Sequence, residues 1–169
     1  MSTRRRTIVV SIAGVVAVLL YCALAALQIL VLNPLAAAPG LSLDEIRTIV
    51  GVGLEPDFVV ITLGLGVALS VALAAVAIGA SLPPRLTATL FLVLLAFGAF
   101  AYFGASFGPG MSLADTFGIG GADHSPWAMP LYLVSVASAI AATVMAVSAA
   151  RSNSRSDAAS SHSGIRSTT

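Results

Sequence analysis

Charged side chains are scarce in this sequence. Only 9% of the 169 residues are charged, in the form of eight arginines, seven acidic residues and no lysine. Ordinary globular domains carry about 25%, so the chain lacks the polar surface that a water-soluble fold needs. The net charge of +1 also excludes the basic surface that holds nucleic acid. We interpret the use of arginine alone as the codon bias of a GC-rich bacterium.

Cysteine and catalytic motifs are also missing or nearly so. The single cysteine, Cys22, excludes an intramolecular disulfide, and we interpret it as a small packing residue. The sequence has no P-loop, dinucleotide glycine fingerprint, nucleophile elbow or zinc-protease helix motif. His124 is the one histidine outside the C-terminal tail. We therefore predict a protein that is not an enzyme, with no catalytic residues and no cofactor.

Long apolar runs are what the sequence does contain. Hydrophobic residues make up 58% of the chain, and four runs exceed the roughly 20 residues that cross a 30 Å hydrocarbon core. None of these runs contains an ionisable side chain of Asp, Glu, Arg or His. The sequence predicts an all-α membrane protein, a four-transmembrane-helix bundle. The predicted spans are residues 8–32, 58–81, 86–107 and 128–150.

The first apolar run has a second interpretation as a secretory signal peptide. Ala23-Leu24-Ala25 offers a cleavage pattern of small residues. A signal peptide's apolar region has about 7–15 residues, however, and this run continues past the pattern to Leu32. We predict an uncleaved anchor.

The arginines predict how the chain is oriented. Seven of them fall on one side of the predicted spans with a single aspartate, whereas six acidic residues and one arginine fall on the other side. The positive-inside rule then predicts a plasma-membrane protein whose residues 1–7 and tail, residues 151–169, both lie in the cytoplasm. The outer loops are residues 33–57 and 108–127. The tail contains seven serines and is predicted to be disordered, with a modified or partner-binding tail as the alternative.

The two outer loops resemble each other at an offset of 70 residues. Seven of the 18 positions from Pro39 to Pro56 are identical to those from Pro109 to Pro126. We interpret this as a tandem duplication of a span–loop-helix–span unit, with chance similarity as the alternative. Each loop is predicted to hold a short helix that ends at a glycine and precedes a proline at the next span. The paired candidates are the N-caps Ser42 and Ser112, the reciprocal caps Glu45 and Asp115, the glycines Gly51 and Gly121, and the prolines Pro56 and Pro126.

The predicted helix of the first loop is amphipathic. Its apolar face carries Leu43, Ile46, Ile49 and Val50. We expect that helix to lie on the outer membrane surface or over the bundle.

Small residues recur at helical spacing along two of the spans. Such rows let helices approach closely in lipid. We expect them to pack the bundle within one chain, with contact to a second copy or a partner protein as the alternative. The rows are Gly64, Ala68 and Ala72; Gly66, Ser70 and Ala74; and Ser138, Ala142 and Ala146.

A few polar and aromatic residues are weaker candidates. Hydroxyls in the spans are expected to bond to their own helices rather than line a polar path, and Gln28 is expected to bond across a helix interface. The acidic residues and His124 lack the ligand spacing of a metal site, so we predict no metal. The aromatics are interpreted as an interfacial belt. These groups are the hydroxyls Thr62, Ser70, Ser135 and Ser138; the acids Glu55, Asp57, Asp115 and Asp123; and the aromatics Tyr102, Phe103, Trp127 and Tyr132.

The function that these features favour is a non-enzymatic accessory or interaction subunit in the lipid bilayer. A small-solute transporter or channel subunit is the alternative. Ion-coupled transport is disfavoured because coupled carriers place ionisable groups within the membrane.

Overall fold

The computed structural model describes the backbone of residues 2–166 and the side chains of residues 2–151. This part of the chain is entirely helical and contains no strand. Four stretches of helix within it are long and apolar enough to span a membrane. They are Thr3–Ala37, Asp57–Gly79, Pro84–Phe117 and Ala128–Arg151. The predicted all-α class and the four long apolar helices are confirmed.

The helices are numbered in chain order. They are α1, Thr3–Leu27; α2, Asn33–Ala37; α3, Leu43–Val50; α4, Asp57–Gly79; α5, Pro84–Ala96; α6, Gly98–Phe117; and α7, Ala128–Arg166. A π-helical turn, Gln28–Leu32, joins α1 to α2, and a 3-10 turn, Gly51–Leu54, joins α3 to the segment before α4.

The first stretch continues past its predicted end at residue 32. Pro34 has no amide hydrogen for a helical bond, and the π turn directly before it absorbs the mismatch, since the amide of Asn33 donates to the carbonyl of Gln28 five residues back. The helix therefore runs on to Ala37. At 1.5 Å per residue its 35 residues extend about 50 Å, which exceeds the roughly 30 Å of a bilayer core.

The third stretch also runs beyond its prediction, by ten residues. Pro109 lies inside α6, where a loop is predicted. A residue before proline normally leaves the helical region because its Cβ meets the proline ring, but Gly108 has no Cβ. The helix instead ends at Gly118, which adopts a left-handed conformation with φ 67°. The predicted outer loop of residues 108–127 is thus shortened to residues 118–127.

The packing is built around α1 and α5. α4 packs chiefly against α1, α7 packs chiefly against α5, and α1 and α5 pack against each other. At one end the hydroxyl of Thr7 donates to the carbonyl of Leu82 at 2.8 Å. This bond fixes the start of α1 beside the turn between α4 and α5. That end of the molecule therefore carries Arg4, Arg5, Arg6 and Arg85.

The opposite end forms a small cap with a core of its own. Ile46 of α3 is fully buried against Ala37, Leu54 and Leu113. Ser42 caps α3 and exchanges hydrogen bonds with Glu45 in a capping box, as predicted. Three of the four predicted apolar positions of α3 are buried or half-buried, whereas Ile49 is exposed. The helix thus lies over the bundle, against the protruding end of α6.

The matching stretches of the two outer loops adopt different structures. Ser42 is an N-cap, but Ser112 is in mid-helix, where its hydroxyl donates to the carbonyl of Gly108. The predicted second loop helix with its cap at Ser112, Asp115 and Gly121 is therefore wrong. α6 continues through Pro109 and Ser112 to Phe117, so there is no free helix end at Ser112 to cap. The loop helix of the first loop therefore has no counterpart in the second.

The last helix does not stop where the predicted tail begins. Its backbone is helical from Ala128 to Arg166, through most of residues 151–169. No proline follows Ala150, and the first glycine after it is Gly164, so nothing in the intervening sequence breaks a helix. The remainder of the predicted tail, residues 167–169, lies outside the described residues.

Candidate interaction face and outer polar cluster

The three predicted rows of small residues face different surroundings. On α4, Ser70 is buried, Gly66 and Ala74 are half-buried, and the Cys22 sulfur lies 3.7 Å from where a Cβ on Gly66 would be. This row packs against α1. On α7, Ser138 and Ala142 are buried, as expected for packing within the chain, although Ala146 at the end of that row is exposed.

The remaining row on α4 has no partner within the described part of the chain. Gly64, Ala68 and Ala72 are all exposed, and a Cβ on Gly64 would meet no atom within 4 Å. Ala75 continues the same exposed face one turn further. The expectation that this row packs the bundle is wrong, because α4 turns its other side to α1. We call Gly64, Ala68, Ala72 and Ala75 the α4 groove.

Large side chains border the α4 groove on both sides. Leu65, Leu69 and Val71 are each at least half exposed. A row of small residues between larger ones forms a shallow channel along the helix. Such a channel lets the backbone of a second helix approach closely.

The sequence-predicted hydroxyls do not form a path. The hydroxyl of Ser70 donates to the carbonyl of Val67 on its own helix, as expected. Ser135 instead donates across to the carbonyl of Leu95 at 2.9 Å and shares a bond with the Tyr21 hydroxyl. Ser70 therefore bonds only within α4, whereas Ser135 ties α7 to α5 and α1.

A polar cluster fills the capped end of the bundle, which the sequence predicts to be the outer end. The Tyr102 hydroxyl donates to Asp123 Oδ1 at 2.6 Å, and the Tyr132 hydroxyl donates to Asp123 Oδ2 at 3.3 Å. The two rings meet edge to face with centroids 5.5 Å apart. One carboxylate in the α6–α7 loop thus joins a tyrosine of each helix. We call Tyr102, Asp123 and Tyr132 the outer cluster.

The first helix holds the same loop from the other side. The side-chain oxygen of Asn33 accepts from the amides of His124 at 2.7 Å and Ser125 at 3.4 Å. The Gln28 amide nitrogen donates to the carbonyl of Ser125 at 3.4 Å, which confirms the predicted bond across an interface. Residues five apart on an α-helix point roughly 140° apart. The π turn between Gln28 and Asn33 brings both onto the face that meets the loop.

One of the sequence interpretations of this region needs correction. Tyr102 is fully buried and is not part of an interfacial belt, whereas Phe103 and Trp127 are exposed. The burial of Tyr102 depends on its hydrogen-bond partner Asp123, 21 residues away. Short-range sequence patterns do not reveal such a contact. The His124 ring nitrogen Nε2 bonds the carbonyl of Gly120.

The acidic candidates do not gather in threes. Within residues 2–151, no three side chains of the metal-ligating types His, Cys, Asp and Glu come together. Glu45 has a lowered pKa because the hydroxyl and amide of Ser42 both donate to its carboxylate.

Comparison with models of protein families, with curated proteins and with solved structures gives no match. The interpretation of the site therefore depends on its own residues.

Proposed function

We propose that this chain is a multi-pass protein of a bacterial plasma membrane, with both termini in the cytoplasm. The four long apolar helices support the crossings. The end of the bundle fixed by the Thr7–Leu82 bond carries Arg4, Arg5, Arg6 and Arg85, and the opposite cap carries Asp44, Glu45 and Asp123. Because basic residues stay on the cytoplasmic side during insertion, this division favours the cap as the outer end.

Within that membrane we propose a non-enzymatic role as an interaction subunit that binds a helix of a second protein chain. The α4 groove is the observation that carries this proposal. Lipid tails are as apolar as any helix surface, so helices associate in membranes through close packing. A small-residue channel bordered by Leu65 and Leu69 supplies such packing to a partner helix.

The surface around Ala137 on α7 is of a different kind. On α7, Leu133, Val134 and Ile140 are exposed large residues, and they surround the exposed Ala137. Large flexible side chains suit contact with lipid. Ala137 therefore offers a matched control for a residue of the α4 groove.

The experiment compares Ala68→Ile with Ala137→Ile in the full chain. Each variant adds the same bulk at an exposed alanine of a long apolar helix. The tagged protein is extracted into native-lipid nanodiscs, and its mass and the proteins retained with it are measured. We expect a complex for the wild type and for Ala137→Ile, and the loss of that complex for Ala68→Ile.

Two results would contradict the proposal. One is a wild-type chain that is a lone monomer in native lipid. The other is equal retention of the partner by both variants. A complex of one repeated mass would identify the second chain as another copy, whereas a different retained protein would identify a separate partner.

A further inference from the structure

The outer cluster borders a cleft that the proposed interaction does not use. Its volume is about 230 Å³, and it opens to the surface beside α6 and the α6–α7 loop. Asp123 and Tyr132 line the cleft together with Phe103 and Phe107 of α6. The ring centroids of these two phenylalanines are 5.9 Å apart. The cleft therefore combines one carboxylate with three aromatic rings.

The carboxylate has hydrogen-bond donors but no cation. Tyr102 and Tyr132 each donate to one of its oxygens. Among residues 2–151 the one ion pair joins Arg47 to Asp44, and no arginine lines the cleft. The neighbouring His124 bonds its ring to Gly120. The exposed carboxylate of Asp123 is thus open to a cationic ligand in the cleft.

The wall chemistry selects the kind of cation. Hard metal ions take about six oxygens, but the acidic side chain here is one carboxylate that already accepts two phenol hydrogens. Aromatic faces instead attract alkylammonium ions, whose charge is spread over a larger apolar surface. Asp123 would repel an anion. A purely apolar ligand would gain no binding energy from the Asp123 carboxylate.

We infer that this cleft binds an organic ammonium group, held by the Asp123 carboxylate and the rings of Phe103, Phe107 and Tyr132. Two sources carry this chemistry at the outer end of a membrane protein. One is a free quaternary amine, and the other is the choline or ethanolamine headgroup of a lipid.

The free-amine arm uses the full chain in nanodiscs of phosphatidylglycerol, which contains no ammonium group. Binding of radiolabelled choline is measured with and without competitors. Tetramethylammonium should compete, whereas 3,3-dimethylbutan-1-ol, the uncharged analogue of choline, should not. We expect Asp123→Asn to weaken binding roughly tenfold or more, and Asp115→Asn, an exposed acid of α6 outside the cleft, to leave it unchanged.

The lipid arm replaces part of the phosphatidylglycerol with phosphatidylcholine or phosphatidylethanolamine. If a headgroup is the occupant, these lipids should abolish the binding of free choline, and the wild type should retain them through delipidation better than Asp123→Asn does. If a free amine is the occupant, choline binding should persist in their presence.

A second set of variants separates binding from folding. Phe103→Leu and Phe107→Leu remove rings that are exposed and keep an apolar side chain. Each should weaken ammonium binding with little change in thermal unfolding. Equal competition by the uncharged analogue, equal effects of Asp123→Asn and Asp115→Asn, or no saturable binding in either arm would each overturn the inference.

Discussion

Tyr102 and Asp123 are joined by a 2.6 Å hydrogen bond from a fully buried phenol to a carboxylate of the α6–α7 loop. This bond crosses the boundary between the apolar bundle and the outer cap. Tyr132 reaches the other oxygen of the same carboxylate. The position of the loop is therefore set by the helices on either side of it.

Replacement of Tyr102 by Phe should destabilise the protein. The change removes the bond to Asp123 and keeps the ring, and a hydrogen bond to a charged group contributes about 1.5–3 kcal/mol. We expect a loss of stability near the lower end of this range, because water can reach the exposed carboxylate once the phenol hydroxyl is gone. Thermal unfolding in detergent measures the effect. Tyr132→Phe, which loses a longer bond at a partly exposed residue, should have the smaller effect, and the reverse order would contradict this account.

Gly14 and Gly64 form a matched pair for testing the packing of the bundle. A Cβ on Gly14 would clash with the ring of Phe91, whereas one on Gly64 would meet nothing within 4 Å. Phe91 is itself buried, so its ring has little room to move. Gly14→Ala should lower the free energy of unfolding by about 1–3 kcal/mol.

Gly64→Ala is the control for that change. It adds the same methyl group to a helix of the same kind, in open space. The free energy of unfolding should therefore stay unchanged or rise slightly. Unfolding by titration with a denaturing detergent compares the two variants. Equal effects would show that α1 and α5 do not pack at Gly14 as described.

The sequence predicts the parts of this fold that depend on short-range patterns. The four apolar helices follow from run length, and the capping box of Ser42 and Glu45 follows from a spacing of three residues. The same cap pattern at Ser112 fails because Gly108 lets the helix pass through Pro109. A local capping motif indicates a helix start only where the residues before it are not themselves helical.

The candidate site depends on contacts that are distant in the sequence. Tyr102 and Asp123 are 21 positions apart, and Asn33 and His124 are 91 apart. The π turn before Pro34 decides which way Gln28 and Asn33 face, and apolar periodicity does not reveal it. The same limit applies to the α4 groove, since spacing identifies a row of small residues but not which row the bundle buries.

The capping box should make α3 sensitive to acid. Because the folded pKa of Glu45 is lowered by its bonds from Ser42, the stabilising effect is complete above the ordinary glutamate range and is lost as the pH falls through the folded pKa. Hydrogen-exchange protection of the α3 amides should therefore decrease at acidic pH, after correction for intrinsic exchange. Glu45→Gln should abolish this dependence. Ser42→Ala should lower protection roughly fivefold at neutral pH, and an unchanged acid response in Glu45→Gln would contradict the assignment.

Single cysteines can test the proposed orientation in intact cells. Cys22 is first replaced by Ala, a small residue suited to its half-buried site. New cysteines are then placed at Thr48 on α3 and at Ala80 beside the turn between α4 and α5, both of which are exposed. A membrane-impermeant maleimide should label Thr48→Cys in whole cells and Ala80→Cys only after lysis, because the arginine-bearing end stays in the cytoplasm. Labelling of Ala80→Cys alone before lysis would reverse the orientation. Labelling of both cysteines before lysis would exclude an odd number of crossings between them.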